Sequence, residues 1–354
     1  MADVNPLDHL DKKLLNLIQQ EVPLVPRPFA SLGERAGVDE PEMLRRVARL
    51  KTEGVIRQIG AIFDTRRMGY QSSLVATRIA PARLEQAAAA INDHPGVSHN
   101  YGRNHAYNLW YTMAVPPNVS LEGTVQRLHE LSGAQQTRLM PTLRLFKIGV
   151  QLDMAGDSNP AEAVPASGAA WSWKTAPEAA VVTEPEIQAI RCLQEDLPVV
   201  AEPFGGLAAA WGMTQDELFA HAERFRQQQM IRRYAAVLHH RAAGFVVNGM
   251  GVWKVPPERI EELGLVMGGF RGVSHCYQRP TYEDWPYTIF TMVHGRTGPE
   301  VKGVIEAISQ ATGITEHDIL WSVKEYKKIR VKYFSPELDA WAARYATVTA
   351  PVLK

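Results

Sequence analysis

One seven-residue run occurs twice in this chain: Val97-Ser98-His99-Asn100-Tyr101-Gly102-Arg103 returns as Val273-Ser274-His275-Cys276-Tyr277-Gln278-Arg279. Serine, histidine, tyrosine and arginine keep their places while the residues between them change. An imidazole gains and loses a proton near neutral pH. A phenol relays protons or holds a carboxylate. A guanidinium fork binds carboxylates through paired hydrogen bonds. The combination suits acid–base chemistry better than packing, and its duplication points to a site shared by two halves.

A second repeat supports the duplication. Residues 54–63 (Gly-Val-Ile-Arg-Gln-Ile-Gly-Ala-Ile-Phe) match residues 229–238 (Gln-Met-Ile-Arg-Arg-Tyr-Ala-Ala-Val-Leu). Two fused copies can build a pseudo-symmetric dimer within one chain, and each half is long enough for its own core. Apolar spacing predicts helices over 7–20, 29–38 and 41–53, with a stop at Gly37 and a cap at Asp39, a helix-turn-helix. Residues 55–64 and 72–79 read as a strand pair, a wing behind the third helix. From 72 onward, helix 81–92, strands 97–100 and 108–115, helix 121–132 and strand 143–152 give the β-α-β-β-α-β order of a ferredoxin-like domain.

The second half repeats the plan: helices 184–195, 204–213 and 215–228, wing strands 231–239 and 245–255, then 257–264, 273–277, 287–294, 299–312 and 322–334. The expected fold class is α+β, two tandem copies related by a pseudo-two-fold axis. The expected division is helix-turn-helix 1–71, ferredoxin-like 72–152, linker 153–182, helix-turn-helix 183–244, ferredoxin-like 245–335 and a tail 336–354. The linker is rich in Ala, Pro, Ser and Gly; Trp171 and Trp173 predict that its end docks on the body. Two ferredoxin-like sheets face to face would leave a cavity between them.

Composition narrows the function classes. The chain has 354 residues, with 38 basic and 38 acidic side chains and no formal net charge. A nucleic-acid partner is therefore not expected. Two cysteines, Cys192 and Cys276, make neither a disulfide framework nor a metal cage. Cys276 reads as a passenger, because Asn100 holds its place in the first copy. No signal peptide or membrane span is visible, so a cytoplasmic protein with no membrane partner is expected.

Helix-turn-helix plus βαββαβ resembles the Lrp/AsnC regulators. The longer motifs narrow the match. Residues 98–110 (Ser-His-Asn-Tyr-Gly-Arg-Asn-His-Ala-Tyr-Asn-Leu-Trp) resemble the D-type half of siroheme decarboxylases. Residues 274–287 (Ser-His-Cys-Tyr-Gln-Arg-Pro-Thr-Tyr-Glu-Asp-Trp-Pro-Tyr), with Met292-Val293-His294-Gly295, resemble the L-type half. The closing residues 327–334 also fit. The resemblance implies removal of carbon dioxide from the C12 and C18 acetates of siroheme, giving 12,18-didecarboxysiroheme in haem d1 biosynthesis. It implies no organic cofactor, since the iron belongs to the substrate. Other enzymes of that pathway and further copies of the chain are candidate partners.

Under that reading Arg103 and Arg279, with Arg57, Arg232, Arg233 and Arg241 around the wing strands, would hold carboxylates; Arg66 and Arg67 are further candidates. His99 and His275 would donate the proton that replaces each lost carboxylate, supported by Tyr101 and Tyr277. His105, His294, Trp285 and Tyr287 would complete the substrate site, with Trp110 as a further apolar wall. Either His99 or His275 would meet the substrate iron. The halves differ, for His105 has no counterpart histidine and His294 faces Ala114 or a neighbour in the first copy.

The rival readings are structural or regulatory. A lone strand histidine is most often a satisfied packing residue, and here the repeated Tyr and Arg tip the balance toward function. Wing arginines are commonly solvated, and the Trp and Tyr cluster packs as core in either reading. Residues 41–53 carry Arg45, Arg46, Arg49 and Lys51, a fair phosphate-binding stripe for a DNA-binding regulator, whereas 215–228 is mixed in charge. A tetrapyrrole carrier without catalysis is the third reading.

Overall fold

The computed structural model describes residues 7–148, 160–163, 171–172, 180–238 and 247–345. The first half runs α1 (His9–Gln20), α2 (Pro28–Ala36), α3 (Glu40–Thr52), β1 (Ile56–Phe63), β2 (Gln71–Arg78), α4 (Leu84–Asn92), β3 (Val97–Arg103), β4 (Leu109–Val115), α5 (Leu121–Ser132), β5 (Gln136–Met140) and β6 (Arg144–Ile148). A two-residue strand, β7 (Trp171–Ser172), follows. The second half runs α6 (Glu184–Leu193), α7 (Pro203–Ala209), α8 (Gln215–Gln227), β8 (Ile231–Leu238), β9 (Val247–Trp253), α9 (Ile260–Gly269), β10 (Val273–Gln278), β11 (Ile289–Gly295), α10 (Gly298–Thr312), β12 (His317–Lys328) and α11 (Pro336–Arg344). The expected linker 153–182 falls largely outside the described residues, as do Trp173 and Arg241.

The described residues fall into two units rather than four domains in series. One holds both helix-turn-helix segments, with β1 and β8. Helix α1 starts at a reciprocal cap, in which the Asp8 and Asp11 carboxylates accept from each other's main-chain N–H. Helix α2 stops at Gly37, whose φ of 81° is the left-handed conformation that glycine adopts without strain. The expected wing hairpin does not form. β1 pairs antiparallel with β8 of the other half, Gly60 opposite Ala235. β2 instead enters the large sheet, because Val75, Ala76 and Thr77 are all buried and need neighbours on both edges and both faces.

The other unit is built on a ten-stranded sheet in the order β5-β2-β4-β3-β12-β9-β11-β10-β6-β7. Each half contributes a ferredoxin-like quartet, β5-β2-β4-β3 and β12-β9-β11-β10. The expected closing strands, 143–152 and 322–334, need correction. β5 closes the first quartet, and β6 crosses to pair with β10 of the second. In the second half one long strand does both jobs: His317–Trp321 of β12 pairs with β9, and Ser322–Lys328 pairs with β3. Pro141 breaks the first-half strand where no proline interrupts the second, since proline has no N–H for the ladder.

Helices α4 and α5 cover one quartet, with Val125 of α5 in one core with Val97, Leu109 and Met113, and α9 and α10 cover the other, with Ile305 of α10 in one core with Val273, Ile289 and Val293. On the opposite faces, Tyr107, Trp110 and Met140 of the first half pack with Met250, Trp285 and Phe290 of the second. Where facing sheets would have left a cavity, this part is filled by aromatic core. In the segment expected as a tail, α11 lays Trp341 on the His94 ring at 4.2 Å between centroids.

Candidate active site

Neighbouring residues on a strand normally point to opposite faces. The repeated motif departs from that at a defined place. In β10 the register against β11 slips between Val273 and His275, so that Ser274 and His275 together oppose Met292. In β3 the same slip falls between Val97 and His99. Such a bulge re-aims one side chain. As a result Ser274 Oγ lies 2.8 Å from Nδ1 of its neighbour His275, and Ser98 Oγ lies 2.9 Å from Nδ1 of His99. The following tyrosine stacks on each ring, His275–Tyr277 at 5.9 Å and His99–Tyr101 at 6.1 Å. The arginine comes next, Arg279 over Tyr277 at 4.9 Å and Arg103 over Tyr101 at 5.5 Å.

The two copies then diverge. Val293 sits opposite Val273 as Met113 sits opposite Val97, so Ala114 is the counterpart of His294. His294 contacts Ser274 Oγ through Nε2 at 2.8 Å and Asn248 Oδ1 through Nδ1 at 2.6 Å. The edges differ too. Ile148 and Leu145 of β6 lie opposite His275 and Tyr277, whereas Lys328 and Glu325 of β12 lie opposite His99 and Tyr101. The second-half histidine thus faces apolar side chains on its partner strand, and His294 and Asn248 extend its hydrogen-bonded chain.

Arg103 and Arg279, expected as carboxylate clamps, are buried. Arg103 Nη1 donates to the Leu320 carbonyl at 2.8 Å, and Arg279 Nη1 donates to the Met140 carbonyl. Both carbonyls stand where a strand crosses between quartets, so these guanidinium groups fasten the exchange. The Nε of each is buried without a hydrogen-bond partner. Burial pulls both pKa values down to about 10, which leaves both cations intact at neutral pH.

Trp285, 1% exposed, is core rather than an open wall: Trp110, Phe290, Tyr287 and Tyr107 surround it, with ring centroids 5.2–6.0 Å away. His105 meets its edge at 5.3 Å and accepts from Tyr107 N through Nδ1 at 3.0 Å, so the neutral ring keeps its proton on Nε2. Burial lowers the pKa of His105. Arg57, Arg232 and Arg233 belong to the unit of β1 and β8. Arg232 bonds Asp64 at 3.1 Å, as does Arg66 at 2.6 Å, and Arg67 bonds Gln229. Cys276 is fully buried and burial raises its thiol pKa, in keeping with a passenger. Burial likewise pushes Cys192 up to about 12.

Sequence reasoning missed Ser274, Ser98 and Asn248 as site residues. The serines stand in the repeated motif, but only the bulge brings them beside the rings. Nothing in the sequence marks Asn248. Also missed was a clasp between the halves, in which Asp284 takes Tyr107 Oη at 2.5 Å and Arg138 Nε at 3.1 Å. Among the described residues no cluster of His, Cys, Asp and Glu could hold a metal ion, and no helix is long and apolar enough to cross a membrane.

The basic stripe that the rival, DNA-binding reading would use is paired with carboxylates of its own unit. Arg45 bonds Glu42; Arg46 bonds Asp8, Asp11 and Glu42; Arg49 bonds Asp11 and Glu53; and Lys51 bonds Asp196. Helix α3 therefore spends its positive charge inside its own unit.

Fold and site define a duplicated AsnC-like protein with acid–base residues on paired strands. The AsnC-like ligand binding domain matches residues 67–147 and 242–327, and the siroheme decarboxylase NirDL-like HTH domain matches 11–57 and 186–232. A siroheme decarboxylase of Hydrogenobacter thermophilus is 39% identical over 330 residues, covering 93% of this chain and 96% of that protein. A siroheme decarboxylase beta subunit of Methanosarcina barkeri is 40% identical over 147 residues, 42% of this chain and 97% of that subunit. A crystal structure of the siroheme decarboxylase NirDL with an iron-uroporphyrin III analogue superposes with a TM-score of 0.76 at 34% identity, over 95% of this chain and 98% of that one. The chain belongs to the siroheme decarboxylases, in the fused two-half form.

Proposed function

We infer that this chain removes carbon dioxide from acetate side chains of siroheme. Each turnover breaks one C–C bond, releases CO2 and forms a C–H bond with a proton, so the acetate becomes a methyl group. What carries the assignment of the proton to a residue is the Ser274–His275 contact at the bulge, which His294 extends where the equivalent Ser98–His99 contact has Ala114 in that place. It fixes the imidazole by its Nδ1 and directs proton exchange with the substrate to Nε2. An axial bond to the substrate iron would use that same Nε2. The two roles exclude each other on one ring, and His275 takes the proton role.

Ile148 and Leu145 on the facing strand supply apolar surface beside His275 and Tyr277. Leu145 is partly buried and Ile148 about half exposed, so a carboxylate packed against them would lose part of its hydration, which favours its departure as neutral CO2. The C12 and C18 acetates, a place in haem d1 biosynthesis, a cytoplasmic location and the absence of an organic cofactor belong to the same reading. So does association with further copies or with other enzymes of that route. The test is anaerobic incubation of the purified chain with siroheme, followed by chromatography and mass spectrometry. Loss of two CO2 through a one-CO2 intermediate supports the reading; siroheme bound but unchanged would make the chain a carrier.

A further inference from the structure

His294 is tied at both ring nitrogens, and the chemistry of its partners orders the whole chain. Asn248 Oδ1 only accepts, so His294 Nδ1 carries a proton. In the neutral state His294 Nε2 then accepts from Ser274 O–H, and Ser274 Oγ accepts from His275 Nδ1–H. Adding one proton at His275 Nε2 lets every link reverse up to Asn248. His275 Nδ1 accepts from Ser274, Ser274 accepts from His294 Nε2–H, and the positive charge comes to rest on His294. Both states keep these three links made, and in each the single Ser274 hydroxyl proton points along the chain and away from the Met292 carbonyl, 3.3 Å from Oγ.

We propose that Asn248, His294 and Ser274 form a relay that stores the proton on His294 and delivers it through Nε2 of His275. The proposal rests on His275 being the proton donor. When Nε2 gives its proton to the carbon that has lost CO2, the Ser274 proton moves to His275 Nδ1 and the His294 Nε2 proton moves to Ser274. His294 is left neutral, and one proton is consumed for one CO2. The first half cannot do this. Ser98 meets His99, but Ala114 stands where His294 would be and Ser72 stands where Asn248 would be. The relay makes the second half the one that protonates and leaves the first half to complete the substrate site.

His294, Asn248 and Ser274 are positioning residues, because they act through His275. The test compares single-turnover and steady-state conversion of siroheme by His294→Gln, Asn248→Ala, Asn248→Asp and His275→Ala in the full chain. His294→Gln and Asn248→Ala should each lower kcat between about 10- and 100-fold with KM for siroheme unchanged. Asn248→Asp, which keeps an acceptor, should restore most of the rate. A purely structural role predicts that kcat and KM move together and that thermal melts shift with them. Wild-type kcat in His294→Gln, or full activity in Asn248→Ala, would overturn the relay. So would loss of activity in Asn248→Asp equal to that in Asn248→Ala, since Asn248 would then be donating. If His275→Ala is inactive while the other variants are normal, the relay falls and the donor assignment stands; an active His275→Ala removes both.

Discussion

Arg103 donates to the carbonyl of Leu320 at 2.8 Å, and each belongs to a different half of the chain. Leu320 lies on β12 just before that strand leaves its own quartet to pair with β3. Arg279 does the same for Met140 at the end of β5. The strand exchange that fuses the halves is held at two equivalent points by buried cations.

Replacing Arg103 by Met should therefore act on stability first. The Leu320 carbonyl loses its donor inside the protein, a cost of about 1–3 kcal/mol, partly offset by removing a buried charge. A urea melt should show a lower midpoint with an unchanged slope. Unchanged stability with a raised KM for siroheme would return Arg103 to the role of carboxylate clamp.

His94 sets an acid limit. It is 2% exposed, accepts from Gly96 N through Nδ1, and burial together with nearby Lys327 pulls its pKa down to about 3. The unfolded chain binds this proton near pH 6.5 and the folded chain does not. This contribution is thus complete above about pH 6.5 and falls as the pH drops toward 3. At pH 5 about 2 kcal/mol should be gone. His94→Gln should flatten that part of the stability–pH curve measured by denaturant melts. An equally steep curve in the variant would assign the loss to other groups.

Gly96 lies against a neighbouring strand. A Cβ built there would stand 2.1 Å from the Ala114 carbonyl oxygen. Because that obstacle is backbone in a paired strand, Gly96→Ala should cost about 3 kcal/mol or more. Circular dichroism melts would read it directly, and a near-wild-type melt would show that β4 yields.

The clasp predicts a smaller effect. Tyr107→Phe removes the hydroxyl that donates to Asp284 and leaves Arg138 as its remaining bridge. Stability should fall by about 1.5–3 kcal/mol, the range for a hydrogen bond to a charged group. A double-mutant cycle with Arg138→Met would then show coupling, and additivity would argue against a clasp.

Much of the fold was legible in sequence because its signals are local. Asp39 and Gly37 mark the turn between α2 and α3, and helix 121–132 was placed within its observed bounds. Strand partners were not legible. Residues 56–63 have the same alternation whether they pair with β2 or with β8, so choosing between them needs the rest of the sheet. The repeat identified His99 and His275 but could not separate their roles. What separates them, Asn248, His294 and the Leu145 and Ile148 side chains of β6, comes from other strands. Arg103 and Arg279 look like ligand-binding cations in sequence, yet they lie buried against carbonyls.

The account stands most directly on two single variants given siroheme under anaerobic conditions, with products resolved by mass spectrometry. His275→Ala should bind siroheme and leave it unchanged, with a rate loss of about 100- to 10,000-fold. His99→Ala should still release both CO2 molecules. Full turnover by His275→Ala together with an inactive His99→Ala would contradict it.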